Sequence, residues 1–343
     1  MKALVFRGER QLAVEEAPEP RPAAGEALIE VSCCGICGSD LSGYLGHSAR
    51  RNRSVPLIMG HEVCGTVRDI TPGAGDAVAI GDRVALQPVI ACGTCPACRR
   101  GSPHLCPSMS LIGIERHGGF APLLAAPVNR LFPIPDSLPD SAAALCETLA
   151  VEVHLFREFA PPLLRCTVVL GCGPQGLLAI QLARLAGANP IVAVDIAPYR
   201  LETARKMGAA FTVDARSDSV NGQVMALTDG WGSEFVVETS GASAMRAGAP
   251  GLVAPGGTLA LIGLGAGETE MNFLPVVAKE IRIQGSYCYR DDDFVRALEL
   301  LSTGSIDTAG MTTVSPLADG AQLFDTLVTD PGRLVKVLLS SAS

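Results

Sequence analysis

The chain has 343 residues, 48% of them hydrophobic, with 37 glycines, 24 prolines and a formal net charge of −8. That length suggests two domains with sizeable cores, and the glycine and proline content excludes a helical bundle in favour of short strands and tight turns. The acidic balance excludes the basic face that a nucleic-acid partner would need. The opening "MKALVFRGER" has too short an apolar run for a signal peptide, and no stretch reaches the roughly 18 apolar residues of a membrane helix. A cytoplasmic protein without membrane contact is expected.

Residues 1 to about 150 read as β-rich. "KALVF", "LAVEE", "EALIEVSCCG", "GTVRDI" and "GDRVALQPV" are strand candidates broken by Gly, Pro and Asp. After a proline-rich stretch the pattern turns helical in "DSAAALCETLAVEVHLFREF", with Asp140 or Ser141 as the cap. From about 166 strand and helix alternate. "CTVVLGCG", "IVAVDI", "FTVDA", "EFVVETSG" and "GTLALIGLG" are strands, and "GLLAIQLARLAG" and "YRLETARKMG" are helices. Continuous apolar strands between helices imply an α/β class with a doubly wound parallel sheet covered on both faces. Near 285 the pattern changes again, to a helix in "DDDFVRALELLSTG" and a final strand in "GRLVKVLLS".

The turn after the first of these parallel strands carries G-x-G-x-x-G at Gly171, Gly173 and Gly176, with Pro174 and Gln175 between the last two. Strand before and helix after are the context that the dinucleotide fingerprint requires. The glycines let backbone N–H groups approach a pyrophosphate, which faces the helix N-terminus. Asp195 ends the next strand, 19 residues after Gly176. A carboxylate there accepts hydrogen bonds from ribose hydroxyls and repels a 2′-phosphate, so NAD is favoured over NADP. Arg200 is read as stacking on adenine rather than receiving a phosphate.

The chain has 12 cysteines. In a large chain without a signal peptide they point to metal or catalysis rather than to a disulfide framework. Four of them, Cys92, Cys95, Cys98 and Cys106, share one loop with C-x2-C-x2-C-x7-C spacing. Redox thiols, a catalytic metal site and a structural staple are all open from the spacing alone. Elsewhere "GICGSD" supplies Cys37, "GHE" supplies His61 and Glu62, and "CETLA" supplies Glu147. Thiolate, imidazole and carboxylate together form a mixed donor set suited to zinc. Most of the other cysteines lie among apolar or small residues and read as packing.

Together "GICGSDL", "GHE", "CGTCPACRRGSPHLC", "GGFA", "ETLAVEVH", "GCGPQG", Asp195 and "VKVLL" closely resemble the zinc-dependent medium-chain dehydrogenases/reductases. This group includes alcohol, sorbitol, butanediol and threonine dehydrogenases. The resemblance implies a GroES-like catalytic domain over residues 1–152 with a structural zinc lobe at 88–108. It implies a Rossmann NAD-binding domain over 153–287 and a C-terminal return over 288–343. The four-cysteine loop then holds a closed, structural zinc, and a second, catalytic zinc sits on Cys37 and His61. In the polyol branch, which this chain resembles most, Glu62 completes the ligand shell and Glu147 lies on or near the metal. Cys146 is one residue away from the position where the alcohol dehydrogenase branch has a third cysteine, and reads as packing.

Further roles follow from the same resemblance. Asp40 holds the His61 ring, and Ser39 takes the proton of the substrate hydroxyl. The family's relay histidine is replaced by Ser42, so the proton leaves through Ser39, Ser42 and water, or through His47, which reads equally as a solvated loop residue. The family's "EPL" is here "ETL", with Thr148. Ile262, Gly263, Leu264, Ser286 and Tyr287 fall near the nicotinamide ribose and amide. Arg50, Arg51 and Arg53 are either a phosphate-holding group or a solvated loop, and Arg290 falls among the family's substrate-pocket positions. The expected reaction is hydride transfer between NAD and a secondary alcohol of a polyol, cyclitol or sugar, in a homodimer or homotetramer. A sugar-alcohol phosphate or threonine dehydrogenase is the nearer alternative, and a non-enzymatic NAD- and zinc-binding protein the remote one.

Overall fold

The computed structural model describes residues 1–161, 165–216, 219–265 and 267–341. They fall into two compact units, Met1–Ala150 with Tyr289–Ser343, and Val151–Cys288.

The first unit is built on a seven-stranded sheet. Along its main path the order is Leu131–Pro133, Arg83–Leu86, Glu62–Ile70, Glu26–Gly35, Lys336–Ser340 and Thr312–Pro316, with Leu123–Pro127 also paired to Glu26–Gly35. Ala27, Ile29 and Val31 alternate along one strand and enter the core together with Val63, Val67, Val84 and Leu124, as period-2 burial requires. Two registers position the chemistry. Gly35 lies opposite Glu62 on one side, and opposite Leu338 of the C-terminal strand on the other. The end of the chain is thereby drawn beside the "GHE" segment.

In the second unit we number the strands of the sheet in chain order: β1 Thr167–Leu170, β2 Ile191–Asp195, β3 Phe211–Asp214, β4 Ser233–Glu238, β5 Val253–Leu261 and β6 Arg282–Gly285. Every neighbouring pair is parallel, and the order is β3-β2-β1-β4-β5-β6. This is the Rossmann order, in which ligands bind beyond the carboxyl ends of the strands where the winding reverses. Val168, Val192, Val194, Val236 and Leu259 fill its core.

Three sequence expectations change. Pro139 is the N-cap of a short helix Asp140–Ala143, and Asp140 instead pairs with Arg83. The longer helix Cys146–Phe159 starts separately. The strand Thr312–Pro316 and the helix Gly320–Thr329 add to the expected elements, and the helix packs Leu323, Phe324, Leu327 and Val328, which recur at helical spacing, on the core. No helix among the described residues is long and apolar enough to cross a membrane.

Candidate metal centre and nucleotide turn

Cys37 precedes the helix Gly38–Tyr44, and Asp40 Oδ2 accepts its backbone N–H at 3.0 Å. His61 immediately precedes, and Glu62 opens, the strand Glu62–Ile70, which pairs with the strand that leads to that turn. One donor atom each from Cys37, His61 and Glu62 lies within 4.8 Å of the others. Glu147 is outside this trio. It sits at the start of its helix, where Tyr289 Oη donates to Oε1 at 3.0 Å.

The surroundings explain how charges persist here. Asp40 is fully buried and pairs with Arg51 Nη2 at 2.8 Å. Its Oδ1 lies 3.5 Å from His61 Nδ1, too far for a formed hydrogen bond, and that nitrogen has no other partner among the described residues. Burial alone would lower the His61 pKa, but the negative charges of Asp40 and Cys37 outweigh it and raise it well above the ordinary value. The ring therefore sits where a cation is attracted. Glu62 is fully buried and both its oxygens accept from Lys336 Nζ, each at 2.7 Å, while Thr148 Oγ1 donates to Oε1 at 2.9 Å. A Cβ on Gly35 would fall 1.9 Å from Glu62 Oε2, so only glycine leaves room for this carboxylate. Burial and the charge of Glu62 raise Glu147 to about 7, against the lowering influence of His61, Tyr289 and Lys336. With Asp40 balanced by Arg51 and Glu62 by Lys336, the soft Cys37 sulfur, the His61 ring and a neighbouring carboxyl fit a divalent zinc-type ion.

The four-cysteine loop closes on itself. Cys95 and Cys98 sulfurs are 3.5 Å apart and Cys92 and Cys98 sulfurs 4.0 Å. A disulfide needs about 2.05 Å, whereas four sulfurs around one zinc at ~2.3 Å sit ~3.8 Å apart. Backbone N–H groups of Cys92, Cys95 and Cys98 point at the sulfurs of Cys106, Cys92 and Cys95 at 3.4, 3.4 and 3.5 Å. The N–H groups of Thr94 and Cys95 lower Cys92 to about 6, while desolvation and the Cys95 thiol push Cys98 up to about 12. Without a cation the four cannot all be thiolates.

In the second unit, a Cβ on Gly176 would fall 1.8 Å from the Gly171 carbonyl oxygen, and Gly171 has φ +96°. The turn is thus as tight as the motif requires. A Cβ on Gly173 would meet nothing within 4 Å, which is an open cradle for a phosphate. Pro174 and Gln175 begin the helix Pro174–Leu185. Asp195 accepts from the backbone N–H of Cys172 at 2.7 Å and of Ala197 at 2.8 Å, which fixes its carboxylate beside the turn. Arg200 leans over the Tyr199 ring and donates to its hydroxyl at 2.9 Å. At the carboxyl ends of β4 to β6, Ile262 and Gly263 donate to the Glu238 carbonyl, and Leu264 is exposed. Ser286 follows β6, and its buried hydroxyl has no hydrogen-bond partner among the described residues. Tyr287 is half-buried beside it.

The proton-path candidates fare unevenly. Ser39 is held by Arg51 through its carbonyl at 2.6 Å and its hydroxyl at 3.3 Å. Ser42 engages through its carbonyl, which accepts from the His47 N–H, and His47 is exposed. The three arginines do not form one anion cradle. Arg51 is 2% exposed and committed to Asp40, Arg50 pairs with Glu115, and Arg53 is exposed. The sequence pattern does not single out Lys336 and Tyr289. A lysine between the valines of "VKVLL" was the available signal, because a charge in a buried strand requires a partner.

A parallel sheet of Rossmann order, a glycine turn with an open cradle and a Cys–His–Glu cluster define a zinc-binding dehydrogenase of the nicotinamide type. Comparison with known proteins agrees. Residues 174–303 match the model of the zinc-binding dehydrogenases and residues 23–136 that of the alcohol dehydrogenase GroES-like domain. Sorbitol dehydrogenase of Bacillus subtilis is 33% identical over 91% of this chain and 89% of its own length. L-threonine 3-dehydrogenase of Pyrococcus horikoshii is 35% identical over 79% of this chain and 78% of its own. A short chain alcohol dehydrogenase from Escherichia coli CFT073, complexed with NADH, superposes with a TM-score of 0.91 at 26% identity, over 99% of each chain. The chain belongs to the zinc-dependent medium-chain dehydrogenases.

Proposed function

We propose that this enzyme transfers a hydride between NAD and a secondary alcohol of a polyol, cyclitol or sugar. The observation that carries the reading is the Cys37–His61–Glu62 cluster, with His61 and Glu62 buried and Cys37 partly so, and with Glu147, rather than a third cysteine, beside it. The similarity to sorbitol dehydrogenase points the same way. Cys37, His61 and Glu62 would hold the catalytic zinc, with Glu147 as the neighbouring carboxylate. Cys92, Cys95, Cys98 and Cys106 would hold a structural one. A bound zinc supplies Lewis acidity, which lowers the pKa of a substrate hydroxyl.

The chain's own residues do the rest. Ser39 accepts the hydroxyl proton and passes its own to water, by way of Ser42. Asp40 steadies the His61 ring. The Gly171–Gly176 turn takes the pyrophosphate on its N–H groups. Asp195 receives the ribose hydroxyls and turns away a 2′-phosphate. Ile262, Gly263, Leu264, Ser286 and Tyr287 would line the nicotinamide end. The exposed Phe273, Leu274 and Val277 support self-association into a dimer or tetramer.

The test is initial-rate NAD and NADP reduction over polyols, cyclitols, short secondary alcohols, threonine and sugar-alcohol phosphates, with metal content measured in parallel. Turnover of a polyol or cyclitol with NAD, and two zincs per chain, is expected. Turnover of threonine alone would replace the substrate assignment, and a preference for NADP would overturn the role of Asp195.

A further inference from the structure

Arg51 is the most deeply buried of three neighbouring arginines, with its side chain 2% exposed. It stands on a short helix, Ala49–Asn52, and folds inward toward the turn that follows Cys37. Its Nη1 donates to the Ser39 carbonyl at 2.6 Å, and its Nη2 reaches the Ser39 hydroxyl at 3.3 Å and Asp40 Oδ1 at 2.8 Å. The chain leaves a slot for it. A Cβ on Gly43 would fall 2.6 Å from Arg51 Cδ, so Gly43 keeps the guanidinium's path open. Asp40, gripped on one oxygen by Arg51, accepts the Cys37 N–H on the other at 3.0 Å. One guanidinium therefore connects the residue proposed to take the substrate proton with the residue that faces His61.

We infer that Arg51 is a positioning residue for proton removal: its planar fork locks the Ser39 hydroxyl and the Asp40 carboxylate into one unit. The inference rests on the zinc dehydrogenase reading of the site. A guanidinium only donates hydrogen bonds and relays no proton. By donating to Ser39 Oγ it occupies one lone pair. The other is left to accept the substrate's proton, and the serine's own proton leaves for water. The fork is what matters. A lysine ammonium supplies the same charge to Asp40 but cannot reach two acceptors of Ser39 and one of Asp40 in a plane.

The test compares the parent holoenzyme with Arg51→Lys and Arg51→Met, each also prepared with cobalt(II) replacing the catalytic zinc. The cobalt absorption reports the Cys37–His61 environment without substrate. Arg51→Lys is expected to keep the cobalt spectrum and KM, to lose ~10-fold in kcat, and to show a larger solvent deuterium isotope effect, because proton removal has become slow. Arg51→Met is expected also to lose cobalt to a chelator ~10–100-fold more readily, as Asp40 is left without its partner. A kcat and isotope effect unchanged in Arg51→Lys would overturn the inference and leave Arg51 as a counter-charge. Parallel loss of spectrum, KM, kcat and unfolding midpoint in Arg51→Lys would overturn it in favour of a purely structural role. A parent protein without a cobalt spectrum would overturn the metal reading itself, and the inference with it.

Discussion

The two thiol-bearing sites of the first unit are organised on opposite principles. The lobe formed by Cys92, Cys95, Cys98 and Cys106 is local. Its four sulfurs come from one loop, three of them accept that loop's own N–H groups, and the cysteines range from exposed to buried. The Cys37–His61–Glu62 centre is assembled from distance. Glu62 is anchored by Lys336, 274 residues away, and Glu147 by Tyr289, 142 residues away. Its charges are buried in opposed pairs. A local site can be read from spacing and lost without the fold, whereas an assembled one is inseparable from the core that carries it.

The largest effect tests the assembled centre directly. Cys37→Ser removes the soft donor, and the several kcal/mol of charge stabilisation that a bound metal offers is lost with it. Turnover is expected to fall by about three orders of magnitude or more, at about 1.4 kcal/mol per decade. NADH binding, followed by fluorescence, is expected to hold, because the nucleotide turn belongs to the other unit. A turnover within tenfold of the parent would break the comparison, since the centre would then not be the site of chemistry.

Lys336→Met probes the buried pairs. It leaves the fully buried Glu62 without its cation, and breaking such a pair by removing one partner costs about 3–5 kcal/mol. Denaturant unfolding is expected to show that loss, and the double variant Lys336→Met with Glu62→Gln is expected to recover much of it. No recovery in the double variant would mean that the pair is not the unit of stability at this site.

These residues also mark the limits of what was legible. Gly171, Gly173 and Gly176 stand out because strand, turn and helix are contiguous, and the four cysteines stand out because they share one loop, although their spacing alone leaves their role open. Lys336, Arg51 and Tyr289 do not, because their partners are chosen by strand register and helix packing. The register that sets Gly35 against both Glu62 and the C-terminal strand is a property of the sheet. The two small residues Gly35 and Gly43 mirror the large side chains they admit, yet a lone glycine in a sequence reads only as a turn. Thr148 was visible as a departure from the family's proline, but its bond to Glu62 was not.

Cys106→Ser sharpens the contrast from the side of the lobe. One of the two proposed zincs is expected to go, with a fall of roughly 5 °C in the unfolding midpoint for a cost near 2 kcal/mol. The cobalt spectrum of the Cys37 centre is expected to stay. Stripping the lobe with a chelator is expected to expose Cys92 first to iodoacetamide at neutral pH, because its thiol is lowered to about 6 and the thiolate is the nucleophile. Cys33, buried and pushed up to about 12, is expected to stay unmodified until the protein unfolds. Peptide mapping by mass spectrometry reads both, and modification of Cys33 before Cys92 would contradict the assignment.

The smallest effect concerns a third group, in which thiols meet charges without forming a metal cluster. Asp140 Oδ1 accepts from the Cys64 thiol at 3.5 Å and from Arg83 Nε at 3.2 Å. Partial burial would raise the Asp140 pKa, but the Arg83 hydrogen bonds outweigh it and hold it below the ordinary value. A carboxyl lowered in the folded state adds stability that is fully present above its unfolded pKa, near 3.9. That stability drains away as the pH falls through the lower, folded value. The pair is more than a third exposed on the Asp140 side, so screening keeps its share below about 1 kcal/mol. Asp140→Asn is therefore expected to lose that small amount at pH 7 and to differ less from the parent as the pH drops below about 4. Unfolding midpoints measured across that range would show the two curves converging. Curves that stay parallel would mean that Asp140 acts through its bonds to the chain, not through its charge, and that charge pairing governs stability only at the fully buried centre.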